Sequence, residues 1–131
     1  MTPNFQIGTR KVGADYPPLV MVEIGINHEG SYDKAVQMVD AAHDAGAELV
    51  KFQCHITEDE MINTGIKPEG ISEETLWDIM KRCELSEGEE RALQKYCESK
   101  GLIYLSTPFS RAAADRLHAM GVPAFKIGSG E

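Results

Sequence analysis

Apolar and polar residues follow each other along the chain in blocks. Four short apolar runs lie at about residues 19–25, 48–53, 102–108 and from 124 onward, and each ends in polar side chains. Short apolar runs bounded by turn residues are typical of β-strands. We therefore predict four strands at these positions.

The segment between the first two runs has the periodicity of a helix. Ser31 is suited to cap its amino terminus and Gly46 to end it. The apolar side chains between them recur at helical spacing, at Ala35, Val36, Val39 and Ala42. A strand, a helix, a short turn and a second strand predict a βαβ unit with a parallel sheet.

Serine residues mark the starts of the later helices. Ser72 is predicted to cap a short helix, and Ser110 a longer one that runs through Met120. Residues 86–89, with the sequence Ser-Glu-Gly-Glu, fit a capping box for a helix that ends at Gly101. The whole pattern predicts the order β-α-β-αα-β-α-β.

Two segments lie outside this order. Residues 4–12 alternate weakly around a turn, and we interpret them as a small hairpin. Residues 54–71 are polar, contain glycine and proline, and follow the second strand directly. A loop of this length is either a functional lid or a tolerated insertion, and its sequence leaves both interpretations open.

Composition narrows the range of partners. The chain has 131 residues and a net charge of −8, which argues against nucleic acid or an anionic membrane as a general partner. An anionic small substrate is compatible with this charge because a binding site is local. The three cysteines are an odd number without Cys-x-x-Cys spacing, and no signal peptide is visible, so we expect buried thiols and a cytoplasmic location.

Parallel α/β folds bind ligands beyond the carboxyl ends of their strands. The candidates selected by this rule are Glu23, Asn27, Lys51, Gln53, His55, Ser106, Thr107, Phe109, Lys126, Ser129 and Glu131. Alternation along the second strand puts Lys51 and Gln53 on one face. Lys51 and Lys126 both interrupt apolar runs, where an unpaired ammonium is costly. We therefore expect them to hold one anion between them, together with small hydroxyl groups.

The residues alone leave simpler interpretations open. A lysine at a strand end is often a surface residue, and the Gly-Ser-Gly of residues 128–130 is more often a turn than a phosphate loop. Glu23 and Glu131 are candidate acid/base or hydroxyl-binding carboxylates. No pair of histidines or Cys/His cluster has metal-ligand spacing, so we expect no complete metal site within these residues.

Four sequence blocks are more specific. In order they are residues 23–30 (Glu-Ile-Gly-Ile-Asn-His-Glu-Gly), 50–53 (Val-Lys-Phe-Gln), 106–110 (Ser-Thr-Pro-Phe-Ser) and 126–131 (Lys-Ile-Gly-Ser-Gly-Glu). In order and spacing the chain resembles the sialic acid (N-acetylneuraminate) synthase family over almost its whole length. Synthases of legionaminate and pseudaminate share these blocks.

The resemblance implies a (β/α)8 TIM barrel that condenses phosphoenolpyruvate with an N-acetylated hexosamine such as N-acetylmannosamine. By matching position it assigns phosphoenolpyruvate to Lys51, Thr107, Lys126 and Ser129. It puts Glu23, Gln53 and Asn27 near the substrates, with Phe109 as an apolar wall. It gives Glu131 a role in proton transfer or in orienting water.

The length departs from the family pattern. Four strands make half of such a barrel, so residues 1–131 are interpreted as the amino-terminal half, with helices outside and a short hairpin before it. The divalent metal of the family (Mn²⁺ or Mg²⁺) would then have its ligands outside this chain, and the C-terminal antifreeze-like domain would be absent. We expect a homodimer for the full-length enzyme and no synthase activity for these 131 residues alone.

Two rival functions stay open. One is a different phosphoenolpyruvate-condensing barrel that acts on a phosphorylated sugar, which would need a second strongly cationic pocket that we do not find in the sequence. The other is a truncated, non-catalytic α/β module that binds an anion or associates through its open sheet edges.

Overall fold

The computed structural model describes residues 4–130. The strands and helices, in chain order, are β1 (Asn4–Ile7), β2 (Arg10–Gly13), β3 (Met21–Gly25), α1 (Tyr32–Asp44), β4 (Leu49–Cys54), α2 (Thr57–Glu60), α3 (Leu76–Cys83), α4 (Glu87–Ser99), β5 (Ile103–Pro108) and α5 (Arg111–Met120). Residues 1–3 and the predicted carboxylate Glu131 lie outside the described part.

A three-stranded parallel sheet forms the centre of the fold, in the order β3-β4-β5. Leu49 pairs with Met21 on one side and with Ile103 on the other, so all three strands start level. The pairing of β3 with β4 shifts between Glu23 and Gly25. A shift of this kind re-aims the side chains beside it, and here it lies at the carboxyl end of the sheet.

The predicted fourth strand is not formed within the described residues. Phe125 makes one isolated parallel bridge with Ser106, and the Lys126 N–H donates to the Ser106 carbonyl at 3.2 Å. A strand needs a ladder of successive pairs, and this segment has a single bridge. Phe125 and Ile127 are 42% and 65% exposed, so no packing stabilises an extended run there. The four-strand half-barrel is therefore not confirmed.

The hydrophobic core lies between one face of the sheet and helices α1, α4 and α5. Alternate residues of β4 enter it, namely Val50, Phe52 and Cys54. Phe52 stacks against Tyr104 of β5 with ring centroids 5.5 Å apart. The predicted apolar positions of α1 are buried in this core, Ala35, Val39 and Ala42 fully and Val36 partly. Helix α4 adds Leu93 and Cys97, and α5 adds Ala113, Leu117 and Met120.

Three of the four predicted helix caps are confirmed. The hydroxyls of Ser31 and Ser110 accept backbone N–H groups at the starts of α1 and α5, and Ser86 and Glu89 form the capping box of α4. The prediction at Ser72 is wrong. The Thr75 hydroxyl caps α3 by accepting the Asp78 N–H at 3.1 Å.

The long loop after β4 contains one turn of helix that the periodicity did not predict. Helix α2 has four residues, too few to show a helical repeat. Its first N–H, that of Thr57, donates to the carboxylate of Glu84. Asp59 accepts the Ala112 N–H at 3.0 Å, which holds α2 against the start of α5. The first part of the predicted loop is thus fixed to two other helices.

The amino-terminal hairpin forms as predicted, with Asn4 opposite Gly13 and Ile7 opposite Arg10. Arg10 attaches it to the rest of the fold. Its Nε and Nη2 atoms donate to the Glu48 carboxylate at 2.7 and 3.1 Å, directly before β4. Across residues 4–130, none of the helices has the length and apolar character needed to cross a membrane.

Candidate functional site

Lys51 is the centre of a polar cluster on the face of the sheet opposite the helices. It lies in the middle of β4, and only 3% of its surface is exposed. Its Nζ atom lies 2.9 Å from Oε2 of Glu23 on β3 and donates to Oγ1 of Thr107 on β5 at 3.3 Å. One buried cation thus joins the three parallel strands.

The environment of Lys51 is closed on the sheet side and open on the Glu23 side. Thr107 is buried, whereas 54% of the Glu23 side chain is exposed. An ammonium group has three N–H donors, and Glu23 and Thr107 use two of them. The third donor can serve a bound oxygen, so the cluster can accept an anion without first breaking both contacts.

Gly25 leaves the space in which Glu23 and Gln53 approach each other. A Cβ atom at Gly25 would lie 3.0 Å from Oε1 of Glu23 and 3.5 Å from Nε2 of Gln53. The backbone φ of Gly25 is +58°, a conformation that glycine adopts at little cost. A glycine here therefore permits both the turn at the end of β3 and the approach of the two polar side chains.

A second group of side chains extends this cluster beyond the end of β4. The ring of His55 lies between Glu60 of α2, whose Oε2 is 2.8 Å from Nδ1, and Gln53, whose Oε1 is 2.9 Å from Nε2. The ring also stacks on Phe109, with centroids 4.5 Å apart and planes at 14°. His55 thereby connects Gln53 of β4 with Phe109, which directly follows β5.

Ser106 pairs with Phe52 and lies on the helix side of the sheet, away from Lys51. The other predicted site residues within residues 4–130 fall into three groups. Glu23, Lys51 and Thr107 are in direct contact, and His55 joins Gln53 to Phe109. Asn27 is exposed, and its Nδ2 donates to the Ile24 carbonyl within its own turn at 2.8 Å. Lys126 is half-buried, and Ser129 is exposed in a turn. The shared anion between Lys51 and Lys126 stays a prediction.

His28, which belongs to the first of the four sequence blocks, packs within the loop after β3. It is buried, and its Nδ1 accepts the Gly30 N–H at 3.0 Å. Burial lowers the pKa of the ring, and a positive charge on His55 would lower it further. His28 is therefore held as a neutral acceptor that shapes the turn into α1.

The sequence interpretation missed Glu60 and left His55 ambiguous. Their spacing of five residues spans a turn rather than one face of a regular element, so no periodic pattern links them. The only available signal was the polar residue His55 directly after a strand that ends in the predicted site.

Polar groups on the helix side form a separate, structural cluster. Glu90 of α4 is buried, with Arg116 Nη1 at 2.8 Å and the Cys54 thiol at 3.4 Å. Burial raises the pKa of Glu90, against the opposing effect of Arg116 and Cys54. Burial also raises the pKa of Cys54, and that of Cys97 to about 12. All three cysteines are buried free thiols, as expected from the sequence.

A metal site does not form from the residues that the structure describes. Between residues 4 and 130, no three side chains of histidine, cysteine, aspartate or glutamate lie close enough together to hold an ion. His55 and Glu60 are a pair, and the third side chain of their group is the amide of Gln53. These residues do not test the expectation that the metal ligands lie outside this chain.

The fold and these side chains define a parallel α/β protein whose polar groups gather at the carboxyl ends of its strands. The chain belongs to the NeuB family, whose family model matches residues 38–131. This membership agrees with the resemblance that the four sequence blocks carry.

Similar proteins include several named synthases. The chain is 36% identical over 97% of its length to the spore coat polysaccharide biosynthesis protein SpsE of Bacillus subtilis. It is 32% identical to the N-acetylneuraminate-9-phosphate synthase of Homo sapiens over 93% of its length, and 32% identical to the N,N'-diacetyllegionaminic acid synthase of Legionella pneumophila over 95%. It spans about 35% of the length of these relatives.

Solved structures agree with this grouping. The N-acetylneuraminic acid synthetase of Leptospira borgpetersenii superposes with a TM-score of 0.78 at 28% identity, over 97% of this chain and 41% of that one. The SpsE protein of Bacillus subtilis superposes with a TM-score of 0.72 at 34% identity, over 95% of this chain and 33% of that one.

Proposed function

We propose that this chain forms the phosphoenolpyruvate-binding part of a synthase that makes a sialic acid. The reaction would join phosphoenolpyruvate to N-acetylmannosamine with addition of water, and would release N-acetylneuraminate and inorganic phosphate. The observation that carries the proposal is the buried ammonium of Lys51 between Glu23 and Thr107, on the polar face of the sheet in a NeuB-family chain. Related synthases of legionaminate or pseudaminate are the closest alternatives, since relatives with these names match the chain at 32% and 29% identity.

Lys51 and Thr107 are proposed to bind the oxygens of phosphoenolpyruvate. Charge-assisted hydrogen bonds to an anion are about twice as strong as neutral ones, and the buried position strengthens them further. Glu23 compensates the charge of the ammonium before the ligand arrives. Its exposed carboxylate can then move away from Lys51 toward a hydroxyl group of the sugar.

Alternation along the chain supports a role for Lys126 in the same site. Phe125 bridges to Ser106, which pairs with Phe52 on the helix side of the sheet. Lys126 follows Phe125 directly, and neighbouring residues of an extended segment point to opposite faces. We therefore propose that Lys126 and Ser129 complete the anion site on the face that carries Lys51.

The remaining steps are assigned by chemistry. C3 of phosphoenolpyruvate would attack the open-chain aldehyde of the sugar, water would add at C2, and phosphate would leave by C–O cleavage. Gln53 and Asn27 would hydrogen-bond the sugar, Phe109 would line the apolar side, and Glu131 would orient water or transfer a proton. The described residues do not fit the family's divalent metal, so no step is assigned to it.

We further propose that β3, β4 and β5 belong to a (β/α)8 barrel and that the complete enzyme is a homodimer. Parallel strands with helices on one face and polar groups at their carboxyl ends are the arrangement found in such barrels. Residues 1–131 would then be the amino-terminal half of the synthase domain. On this proposal the chain binds phosphoenolpyruvate but does not turn it over.

Isothermal titration of the chain with phosphoenolpyruvate tests the site. We expect binding heat that is lost in Lys51→Met and at least tenfold weaker affinity in Lys126→Met, since each removes one charged donor. Lys95→Met is the matched control, because Lys95 is exposed on α4 away from the site. Heat that is unchanged in both site variants would show non-specific anion binding, and no heat in the wild type would favour a non-catalytic module.

A further inference from the structure

The ring of His55 is held on three sides. Glu60 accepts from Nδ1, Gln53 faces Nε2, and Phe109 stacks on one face of the ring. Only 4% of the His55 side chain and 7% of the Glu60 side chain are exposed. Because the ring is packed and bonded at both nitrogens, it cannot rotate without breaking two buried hydrogen bonds.

The positions of the protons on the His55 ring nitrogens determine how the Gln53 amide is oriented. A carboxylate only accepts hydrogen bonds, so Nδ1 must carry a proton toward Glu60. A ring with a second proton on Nε2 requires the amide oxygen of Gln53 opposite it, which is the observed arrangement. A neutral ring has a lone pair at Nε2 and requires the amide NH2 there instead.

The far end of the Gln53 amide faces the polar cluster around Lys51. With its oxygen on His55, Gln53 directs Nε2 toward the space beside Gly25, where Oε1 of Glu23 also lies. If the amide turns over, the site loses an N–H donor beside Glu23 and gains a carbonyl acceptor. The hydrogen bond between His55 and Gln53 thus sets whether the site offers an N–H donor or a carbonyl acceptor beside Glu23.

We propose that His55, oriented by Glu60, is a positioning residue that fixes the amide of Gln53 with its NH2 group toward Glu23 and a bound sugar. The role in sugar recognition rests on the proposed function, whereas the coupling of His55 to Gln53 does not. In this orientation the amide places an N–H donor beside Glu23, suited to a hydroxyl or amide oxygen of the substrate.

The charges around His55 come from several elements. Glu60 on α2 is in direct contact, and His28 in the loop after β3 interacts with the ring electrostatically. Glu23 and Lys51 form the ion pair that lies beyond Gln53. The end of β5 contributes the uncharged ring of Phe109. Because several charged groups surround Gln53, variants are needed to show that a pH-dependent shift of its signals comes from His55 and not from His28.

Nuclear magnetic resonance of the chain, labelled with 15N at histidine and glutamine, tests the coupling between pH 5 and pH 8. We expect any pH-dependent shift of the His55 ring nitrogens to be accompanied by a shift of the Gln53 side-chain NH2 signals with the same midpoint. Gln94 is the internal control, since its NH2 group is buried and donates to the Met120 carbonyl, and its signals should stay constant. Constant Gln53 signals through the His55 titration would overturn the proposal.

Variants assign the effect. His55→Phe keeps a ring against Phe109 and should abolish the shift at Gln53, whereas His43→Phe, at an exposed position of α1, should leave it. In Glu60→Gln the signal of the hydrogen-bonded Nδ1 proton should move upfield, because a neutral acceptor makes a weaker hydrogen bond. In the control variant Glu58→Gln this signal should stay unchanged, because Glu58 contacts Lys81 and not His55. A shift at Gln53 that survives His55→Phe would refute the proposal.

This outcome is separate from the titration with phosphoenolpyruvate. Loss of phosphoenolpyruvate binding would leave the linked shifts of His55 and Gln53 intact and would disprove the proposed function alone. Intact phosphoenolpyruvate binding with constant Gln53 signals would disprove only the positioning role of His55.

Discussion

Lys51 shows how far residue-level reasoning from the sequence can go. A lysine inside an apolar strand is costly unless it is paired, so the sequence predicted a partner or ligand. Alternation also put Gln53 on the same face. The contact with Glu23 could not be predicted, because it depends on the register that places Glu23 of β3 opposite Lys51 of β4, which local sequence does not specify.

Glu23 and Lys51 are expected to respond differently to neutralisation. Glu23→Gln leaves a buried ammonium without its anion and should lower the free energy of unfolding by about 1–3 kcal/mol, less than for a fully buried pair because Glu23 is half-exposed. Lys51→Met removes the buried charge and should leave stability unchanged or raise it. Urea denaturation followed by circular dichroism measures both.

The comparison separates a lysine kept for a ligand from one kept for folding. Lys95→Met, at an exposed position of α4, sets the background effect of removing a positive charge. If Lys51→Met were destabilising by as much as Glu23→Gln, the ion pair would be structural in origin, and the case for an anion at Lys51 would weaken.

At the scale of single elements, the helix starts were predictable where the capping signal is local. The capping box of α4 needs only Ser86 and Glu89 in sequence, and it forms. At α3 two hydroxyl residues compete, and Thr75 caps the helix while Ser72 accepts the Glu74 N–H in the loop. The Leu76 N–H donates to the Ile66 carbonyl at 2.8 Å, and this contact with the preceding loop is one that sequence spacing does not reveal.

The capping box makes part of the stability depend on pH. Hydrogen bonds from the Ser86 hydroxyl and N–H lower the pKa of Glu89. A carboxyl group whose pKa is lowered on folding stabilises the protein above its unfolded value, about 4.3, and loses this contribution as the pH falls through the folded value. We therefore expect stability to decline below about pH 4.3, with a shallower decline in Glu89→Gln.

Thermal melts at intervals from pH 7 to pH 3 measure this slope. Glutamine can still form the box, so Glu89→Gln should retain α4. Glu98→Gln, at an exposed position near the other end of α4, is the control. Equal slopes in the wild type and Glu89→Gln would exclude the cap as a source of the acid sensitivity.

Gly30 is the glycine at which an added Cβ atom would have the least space, at the junction between α1 and α3. Its φ is +78°, and a Cβ atom would lie 2.1 Å from the Arg82 carbonyl oxygen at the end of α3. Gly46 has a φ of +84° but nothing within 4 Å of a Cβ atom. Gly46→Ala should cost about 1–2 kcal/mol from backbone strain alone, and Gly30→Ala clearly more, because α3 must move.

Chemical denaturation of both alanine variants provides the measurement. Because the two glycines share a left-handed backbone, their difference isolates the contact between Gly30 and α3. Similar losses in the two variants would show that α3 can shift freely, and would contradict a rigid junction between α3 and the start of α1.

For the whole molecule, the parallel order of β3, β4 and β5 was predictable and the fourth strand was not. Short connections after α1 and α4 force each next strand to lie beside the previous one. Residues 124–127 have the composition of a strand, but a ladder also needs partners distant in the sequence. Local pattern therefore predicts where a strand can form, and pairing decides whether it does.

The open edges of the sheet are expected to make the chain self-associate. In the part of the chain that the structure describes, β3 has no neighbouring strand on its outer side. Val20, directly before β3, and Met21, its first residue, are exposed. Unpaired N–H and C=O groups next to apolar side chains favour pairing with another chain. Sedimentation velocity should show association that increases with concentration and falls in Met21→Lys.

Phe5→Lys is the control for this experiment. Phe5 is also exposed, but it lies in the hairpin and not beside the edge of the parallel sheet. Association that is lost equally in both variants would indicate general hydrophobic contact. Purely monomeric behaviour of the wild type at all concentrations would contradict the expected edge pairing.

The ion pair between Arg10 and Glu48 fastens the hairpin at the end of β4 farthest from His55. The chain thus has a stabilising ion pair, the Arg10–Glu48 clasp, at one end of β4 and the polar side chains of the candidate site toward the other end. Changes at the clasp should alter the melting temperature while leaving ligand affinity untouched. A fluorescent label on β1 would for the same reason report unfolding without disturbing a bound anion.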